Sequence, residues 1–467
     1  MRNTKIICTL GPATESEKML RAMVDAGTNV FRLNMSHASH EWVRAIVPRI
    51  RKVASDLDAV VAILMDTQGP AIRTGDLPNK LDLKPGDIIE FTVRGERSEE
   101  QYSVDVNYDG LVDDISVGDT VLVDNGVMHM EVLDKENKRV RCRVLTAGTL
   151  GSRRHINLPG VKVNLPPLTS KDLEDVALGS ELEVDMVALS FCREPSDVDA
   201  LRAILCQHGS KARIVAKIED QLAVRNIGGI IDKADIIMVA RGDLGIECAM
   251  EELPIIQRAI VKRCLRVGRP VIVATHMLES MISNPVPTRA EVTDVANAVY
   301  EQADGIMLSG ETSVGKYPIE CVMALDRVAS RIERSGGAGY ANEAQYRENR
   351  QRTMHSAVVL ANSLRNSKLV VFTRRGRVAD YVSAQRPEHS PIFAFSNTLE
   401  VCRKIVLNWG IYPILMPFEH DPEQTIENAT QLLRKRGLVH HGDNLVIVSD
   451  LQAGESTFDS IQHRPVI

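Results

Sequence analysis

A chain of 467 residues is too long for one ordinary hydrophobic core and suits two to four domains. Its 44% hydrophobic and 25% charged residues describe a soluble globular protein and exclude disordered and fibrous classes. The net charge of −6 gives no pull towards nucleic acid or an anionic membrane, so a site for anions must gather its cations locally. The cysteines are scattered with no Cys-x-x-Cys pair, and several sit in apolar runs, as expected of reduced cytoplasmic thiols. The start, MRNTKIICTLGP, has only a short apolar stretch, and no run approaches the ~18 apolar residues of a membrane span. A cytoplasmic protein is expected.

Short apolar runs that close on a polar residue recur along the chain. They are KIICTL (5–10), NVFRLN (29–34), AVVAILMD (59–66), DMVALSF (185–191), RIVAKIED (213–220), DIIMVAR (235–241), PVIVAT (270–275) and GIMLS (305–309). Val- and Ile-rich runs without alternation suit strands buried on both faces. Helix-like stretches lie between most of them, such as SEKMLRAMVDAG (16–27) and SDVDALRAILCQHG (196–209), the second capped by Ser196 and closed by Gly209. This predicts an α/β fold, a (β/α)8 TIM barrel over 1–69 and 161–335.

One interval breaks the rhythm. DIIEFTVRG (87–95), TVLVDNGVMHMEVLD (120–134) and KRVRCRVLT (138–146) alternate and are set off by Gly and Asn-Gly turns, which predicts an all-β domain over 70–160 inserted after the third barrel strand. After the eighth run, SGGAG (335–339) and a charged stretch mark a second boundary. A helix over 353–365 then leads to KLVVFT (368–373), PIFAFS (391–396), YPILM (412–416) and NLVIVSD (444–450), a C-terminal α/β domain over 340–467 on a mainly parallel sheet.

A barrel of this kind places its active site at the C-terminal ends of its strands. There the second run ends in Arg32 and Asn34, with Ser36 beyond; the third ends in Asp66 and Thr67, with Arg73 soon after. The fifth carries Lys217 and Glu219, the sixth ends Arg241-Gly242-Asp243, the seventh ends in Thr275, and Ser309 and Glu311 follow the eighth. Each alone has a plain structural reading, as a helix cap, a snorkelling lysine or a backbone-bonded threonine. Together, at one rim, they need a shared reason. Glu219 and Asp243 are hard oxygen donors suited to Mg²⁺ or Mn²⁺ rather than zinc. Lys217 shares a strand face with Glu219, and an ammonium beside a metal-bound carboxylate fits the charge of a migrating phosphoryl group. Arg32 and Arg73 add guanidinium donors shaped for phosphate, and Asn34, Ser36, Asp66 and Thr67 supply oxygens for a monovalent cation.

At these residues the chain resembles the pyruvate kinase family along its whole length. The resemblance is carried by KIICTLGPAT (5–14), NVFRLNMSH (29–37), DTQGPAIRT (66–74), HINLPG (155–160), AKIED (216–220), IIMVARGDLGIE (236–247), ATHMLESMISNPVPTRAEVTDVANAV (274–299) and IMLSGETSVGKYP (306–318). It implies a barrel with an inserted β lid and a C-terminal regulatory domain, and, with no extra N-terminal segment, the bacterial type. It further implies phosphoryl transfer from phosphoenolpyruvate to ADP, with Lys217 stabilising the transferring group and Glu219 and Asp243 holding Mg²⁺. Arg32, the backbone at Gly242 and Thr275 would bind phosphoenolpyruvate, Asn34, Ser36, Asp66 and Thr67 would bind K⁺, and Arg73 and Arg154 would meet the nucleotide phosphates. A homotetramer is implied too.

Gln68 and Ala71 replace the Lys and Glu usual in the third motif; an acid at position 71 goes with K⁺ dependence and a Lys with independence, so Ala71 leaves the K⁺ requirement open. His276 stands where the family usually has Gln, either altering the proton path or serving as a neutral hydrogen-bonding group. FTRRGRVAD (372–380) resembles the family's effector loop, where Thr373, Arg374, Arg375, Gly376 and Arg377 would grip a sugar-phosphate or nucleotide effector; a solvated basic turn is the alternative. GETSVGKY (310–317) nearly matches an NTPase phosphate loop but ends in Tyr317, without the small hydroxyl for Mg²⁺. The rival functions are a metal-dependent aldolase or lyase working through an enolate, and a non-catalytic phosphometabolite sensor.

Overall fold

The structure is a computed structural model that describes residues 1–93, 96, 98, 100–453 and 456–467. Each of the eight apolar runs supplies one parallel strand, and the strands close into a barrel in chain order: Lys5–Thr9, Val30–Asn34, Ala62–Asp66, Met186–Leu189, Arg213–Ile218, Ile236–Ala240, Val271–Ala274 and Gly305–Leu308. Side chains alternate along each strand. One set, including Ile7, Val30, Leu64, Ala188, Val215 and Met238, fills the barrel axis. The other, including Ile6, Phe31, Ile63, Val187 and Ile214, packs outward under the helices. Both faces are therefore dry, which is why the runs show no polar alternation.

Helix starts follow local capping chemistry. Ser16, Ser39, Thr169 and Thr288 each accept a backbone N–H from the first turn of the following helix. The expected Ser196 cap is not used. Pro195 takes the first helical position of Pro195–Gln207, where its missing N–H costs nothing, so the cap moves back to Glu194, boxed with Asp197. Gly209 ends that helix in the left-handed region at φ 66°, as expected.

The segment after the third barrel strand forms a seven-stranded sheet, from Ile72–Arg73 to His155–Asn157 in the chain, and a two-stranded sheet of Leu81–Leu83 and Gly148–Leu150. Within it, Ile88–Val93 carries the run expected at 87–95; residues 94 and 95 lie outside the described ones. Asp124 and Asn125, both at φ 56°, turn the chain between Thr120–Val123 and Met128–Glu136.

The C-terminal sheet has five strands in the order Ile411–Leu415, Ile392–Ser396, Ser367–Phe372, Asn444–Ala453 and Ser456–Pro465, the last antiparallel. Its first helix, Asn349–Ser363, begins ahead of the expected position 353 because Glu348 and Gln351 cap one another's backbone. This domain seals the N-terminal end of the barrel. Val406 and Leu407 join the axial cluster with Ile7 and Val30, and Arg386 meets Asp304 at 2.7 Å. The opposite rim carries the C-terminal ends of the eight parallel strands. All eight cysteines are free thiols, and among the described residues no helix is long and apolar enough to cross a membrane.

Candidate active site at the barrel rim

Climbing the axis in steps of two residues, the apolar layers give way to a polar one: Thr9 above Ile7, Arg32 above Val30, Asp66 above Leu64, Ser190 above Ala188 and Lys217 above Val215. Lys217 stands at the centre of this layer. Its ammonium lies 2.9 Å from Glu219 Oε1, 3.2 Å from Asp66 Oδ1 and 2.8 Å from Ser190 Oγ, so three acceptors meet its three protons. Asp66 offers its other oxygen to Arg32 Nε at 2.6 Å, and Arg32 Nη1 donates to Thr9 Oγ1 at 3.0 Å. Glu219 Oε2 accepts the Phe191 N–H at 2.6 Å, presented by a left-handed φ of 51°.

Asp66 is 0% and Glu219 1% exposed, so neighbouring charges rather than water decide their ionisation. Burial opposes a charged Lys217, but Asp66 and Glu219 outweigh it and hold the ammonium above its ordinary range. Burial likewise opposes a charged Asp66, and Lys217 with Arg32 outweighs it, holding the carboxyl below its usual range. Glu219 goes the other way. Burial pushes it up to about 7, Lys217 pulls down, and Asp243 pushes up again. A buried carboxyl that Asp243 pushes up further is eased by positive charge set between the two. That is the chemistry of a divalent-cation site, and these hard oxygen donors fit Mg²⁺ or Mn²⁺.

Asp243 lies in the first turn of the short helix Arg241–Glu247. Beside it the Gly242 N–H donates to Thr275 Oγ1 at 2.7 Å. Thr275 and His276 both take positive φ, 70° and 54°, a strained turn for two non-glycine residues. Arg241 braces it, donating to Thr275 O at 2.7 Å and to Asp294 at 2.6 Å. His276 is exposed, 3.6 Å from Glu279. Asn34 pairs in register with Asp66 on the neighbouring strand and accepts the Ser36 N–H at 3.2 Å. Thr67 is buried and donates its hydroxyl to Ala188 O at 2.9 Å.

Arg73 and Arg154 stand on the second domain. Arg73 pairs with His155 across two strands, and the Arg154 guanidinium meets Asp124 at 3.2 Å. The same strand pair leans on the rim, with the His155 ring 5.9 Å from that of Phe191 and Asn157 Nδ2 donating to Glu247 Oε1 at 3.0 Å. Burial, with Arg73 adding to it, holds the His155 imidazole below its ordinary value against the pull of Asp243. Arg73, His155 and Asp243 thus share one electrostatic neighbourhood. Ser190, Thr9, His155, Asn157 and Glu247 join the rim with no charged strand-end pattern in the sequence to mark them.

Two further segments lie elsewhere. Around 373–377, Thr373 Oγ1 accepts the Gly376 N–H at 2.9 Å, Arg374 and Arg375 are exposed, and Arg377 pairs with Glu348 at 3.0 Å. In 310–317, Glu311 is buried and holds the backbone N–H groups of Leu278 and Ser309 at 3.1 and 2.7 Å, on a turn that follows the eighth barrel strand. It is a strut in the barrel wall.

The family model for the pyruvate kinase barrel domain matches residues 1–322 of the chain. The chain belongs to the pyruvate kinase family. The model for the pyruvate kinase alpha/beta domain matches residues 351–462. Plastidial pyruvate kinase 2 of Arabidopsis thaliana is 42% identical over 96% of this chain and 78% of its own length. Pyruvate kinase isozyme G, chloroplastic, of Nicotiana tabacum is 40% identical over 96% and 80%. The pyruvate kinase of Staphylococcus aureus (strain USA300) is 38% identical over 98% and 79%. Like those pyruvate kinases, the chain is a phosphotransferase.

In this pyruvate kinase family member Glu247 gives a pH-dependent prediction. Burial pushes its carboxyl up to about 7, Asn157 opposes, and Asp220 and Asp243 reinforce. A carboxyl raised from an ordinary 4.5 contributes stability that is complete below that value and lost as pH rises through about 7. Glu247→Gln keeps the neutral shape. It should match the parent near pH ~4 and exceed it near pH ~8 by up to roughly 3 kcal/mol in the unfolding free energy from denaturant titrations. A difference that stays constant with pH would remove Glu247 from the argument.

Proposed function

We propose that this chain transfers the phosphoryl group of phosphoenolpyruvate to ADP, giving pyruvate and ATP, the last step of glycolysis, in the cytoplasm. The observation that carries this reading is the Lys217 ammonium, buried between the Asp66 and Glu219 carboxylates next to Arg32 at the barrel rim. An ammonium locked in its charged form faces developing charge on the phosphoryl oxygens without having to reorganise when the transfer occurs. Arg32, Lys217, the Gly242 backbone, Asp243 and Thr275 would bind phosphoenolpyruvate, and Thr275 beside His276 would lie near the path by which the enolate carbon is protonated. Glu219 and Asp243 would hold Mg²⁺ or Mn²⁺, which when bound neutralises phosphoryl oxygens.

Asn34, Ser36, Asp66 and Thr67 would hold K⁺, although both Asp66 oxygens already serve Arg32 and Lys217. Arg73 and Arg154 would meet ADP phosphates from the second domain, whose contact with the rim supports a lid that excludes water. The exposed Arg374 and Arg375, with Thr373, Gly376 and Arg377, offer a sugar-phosphate or nucleotide effector its counter-charge, in an assembly of four copies.

A coupled assay of pyruvate formation tests the reading. Pyruvate that appears only with both ADP and Mg²⁺ supports it. Pyruvate without ADP would instead point to lyase or phosphatase chemistry, and phosphoenolpyruvate binding without turnover to a sensor. Ala71→Glu should steepen the dependence of kcat on K⁺, since it adds a carboxylate five residues after Asp66; an unchanged cation profile would clear position 71 of that role.

A further inference from the structure

Ser190 has no part in the reading above, yet its hydroxyl is tightly engaged. The residue is 2% exposed at the end of the fourth barrel strand. Its Oγ lies 2.7 Å from the Thr67 carbonyl and 3.3 Å from Asp66 Oδ1, and it accepts from Lys217 at 2.8 Å. A hydroxyl has one proton to give, and the nearer acceptor is the Thr67 carbonyl. That choice turns the oxygen lone pairs towards Lys217. The backbone fixes the arrangement from both sides. The Ser190 N–H donates to Thr67 Oγ1 at 3.3 Å, and a Cβ on Gly69 would fall 2.8 Å from the Ser190 Cβ, so the 66–69 segment passes flush against this side chain.

The ammonium of Lys217 therefore has two anionic partners and one neutral one. A bond to a carboxylate is worth about twice a bond to a neutral acceptor. When an anionic phosphoryl oxygen arrives, the contact that Lys217 gives up at least cost is the one to Ser190. We infer that Ser190 is a positioning residue for the transfer: its hydroxyl holds the third ammonium proton of Lys217 in line until a phosphoryl oxygen takes it over. Without the hydroxyl, that proton has no fixed acceptor and the ammonium sinks towards the two carboxylates, away from the substrate. The inference rests on the transfer role given to Lys217.

The test is a double-mutant cycle on the full-length enzyme, with kcat and KM measured separately. Ser190→Ala should lower kcat by about tenfold to a hundredfold and leave KM for phosphoenolpyruvate within about twofold, the pattern of an interaction that matters mainly in the transition state. Ser190→Thr, which keeps a hydroxyl, should recover much of the loss, and Ser190→Val, of the same shape without one, should not. In a Lys217→Met background Ser190→Ala should have almost no further effect, because the group it positions is gone. If Ser190→Ala leaves kcat unchanged, or lowers it as much with Met at 217 as with Lys, the inference is wrong. If Lys217→Met itself keeps full activity, the fault lies in the reading of Lys217, so the two failures are told apart.

Discussion

Lys217→Met is expected to lower kcat by about three to four powers of ten while the protein stays folded and still binds Mg²⁺. The loss in rate follows from what the ammonium faces. It is held charged by Asp66 and Glu219, and charge on a transferring phosphoryl group grows only on the way to the transition state. The survival of the fold follows from the two carboxylates it would leave behind. Asp66 keeps its 2.6 Å bond to Arg32, and Glu219, already pushed up to about 7, takes up a proton in place of the ammonium until Mg²⁺ binds and displaces that proton. Neither is stranded as a bare buried charge, so the usual penalty for breaking a buried pair is largely avoided. Steady-state kinetics, a Mg²⁺ titration and a thermal midpoint on the same preparation check this. If stability falls in parallel with activity, Lys217 is holding the barrel together, and its assigned place in the chemistry is lost.

How far this site could be read from the chain depended on which physical rule each residue obeys. The barrel was legible because strands dry on both faces leave apolar runs that need no partner to be recognised. Lys217 and Glu219 were legible together because two positions apart means one side of a strand, and their contact is 2.9 Å. The same rule of two, carried up from Ala188, points to Ser190, but a neutral residue in an apolar run draws no attention when one searches for charge. The strand-end position of Asp66 suggests a cation ligand but not that its oxygens also meet Arg32 and Lys217; that convergence of three strands cannot be seen along any one of them. The bond from Asn157 to Glu247 joins residues 90 apart, one at the end of a strand and the other at the end of a short helix, with nothing local to announce it. The strand Ser456–Pro465 was missed because STFDSIQHRP has no apolar run; it is an edge strand held by ladder bonds to Asn444–Ala453.

The largest loss of stability is expected far from the rim that carries Lys217, from Asp304→Ala at the sealed end of the barrel. Asp304 precedes the eighth barrel strand and spends both oxygens on three donors: Arg386 Nη2 at 2.7 Å, the Val271 N–H at 2.9 Å and the Trp409 N–H at 3.0 Å. The Arg386 guanidinium also gives a bond to Ser383 O at 2.9 Å and lies 5.3 Å from the centre of the Trp409 ring. The Arg386 and Asp304 side chains are 3% and 1% exposed. A guanidinium cannot shed its proton to escape, so losing the carboxylate leaves a full charge buried among carbonyls and an indole. About 3–5 kcal/mol of stability should go with it. The loss belongs to the stranded charge, not to the missing bond, and that distinction can be measured. Asp304→Ala combined with Arg386→Leu should be more stable than Asp304→Ala alone, because the second change removes the charge the first one exposed. Activity per folded molecule should hardly change, since the rim with Lys217 lies at the other end of the strands. A double variant no more stable than the single would mean that the carboxylate acts through the Val271 and Trp409 backbone bonds. The junction between barrel and C-terminal sheet would then be held by the chain itself and not by its buried charges.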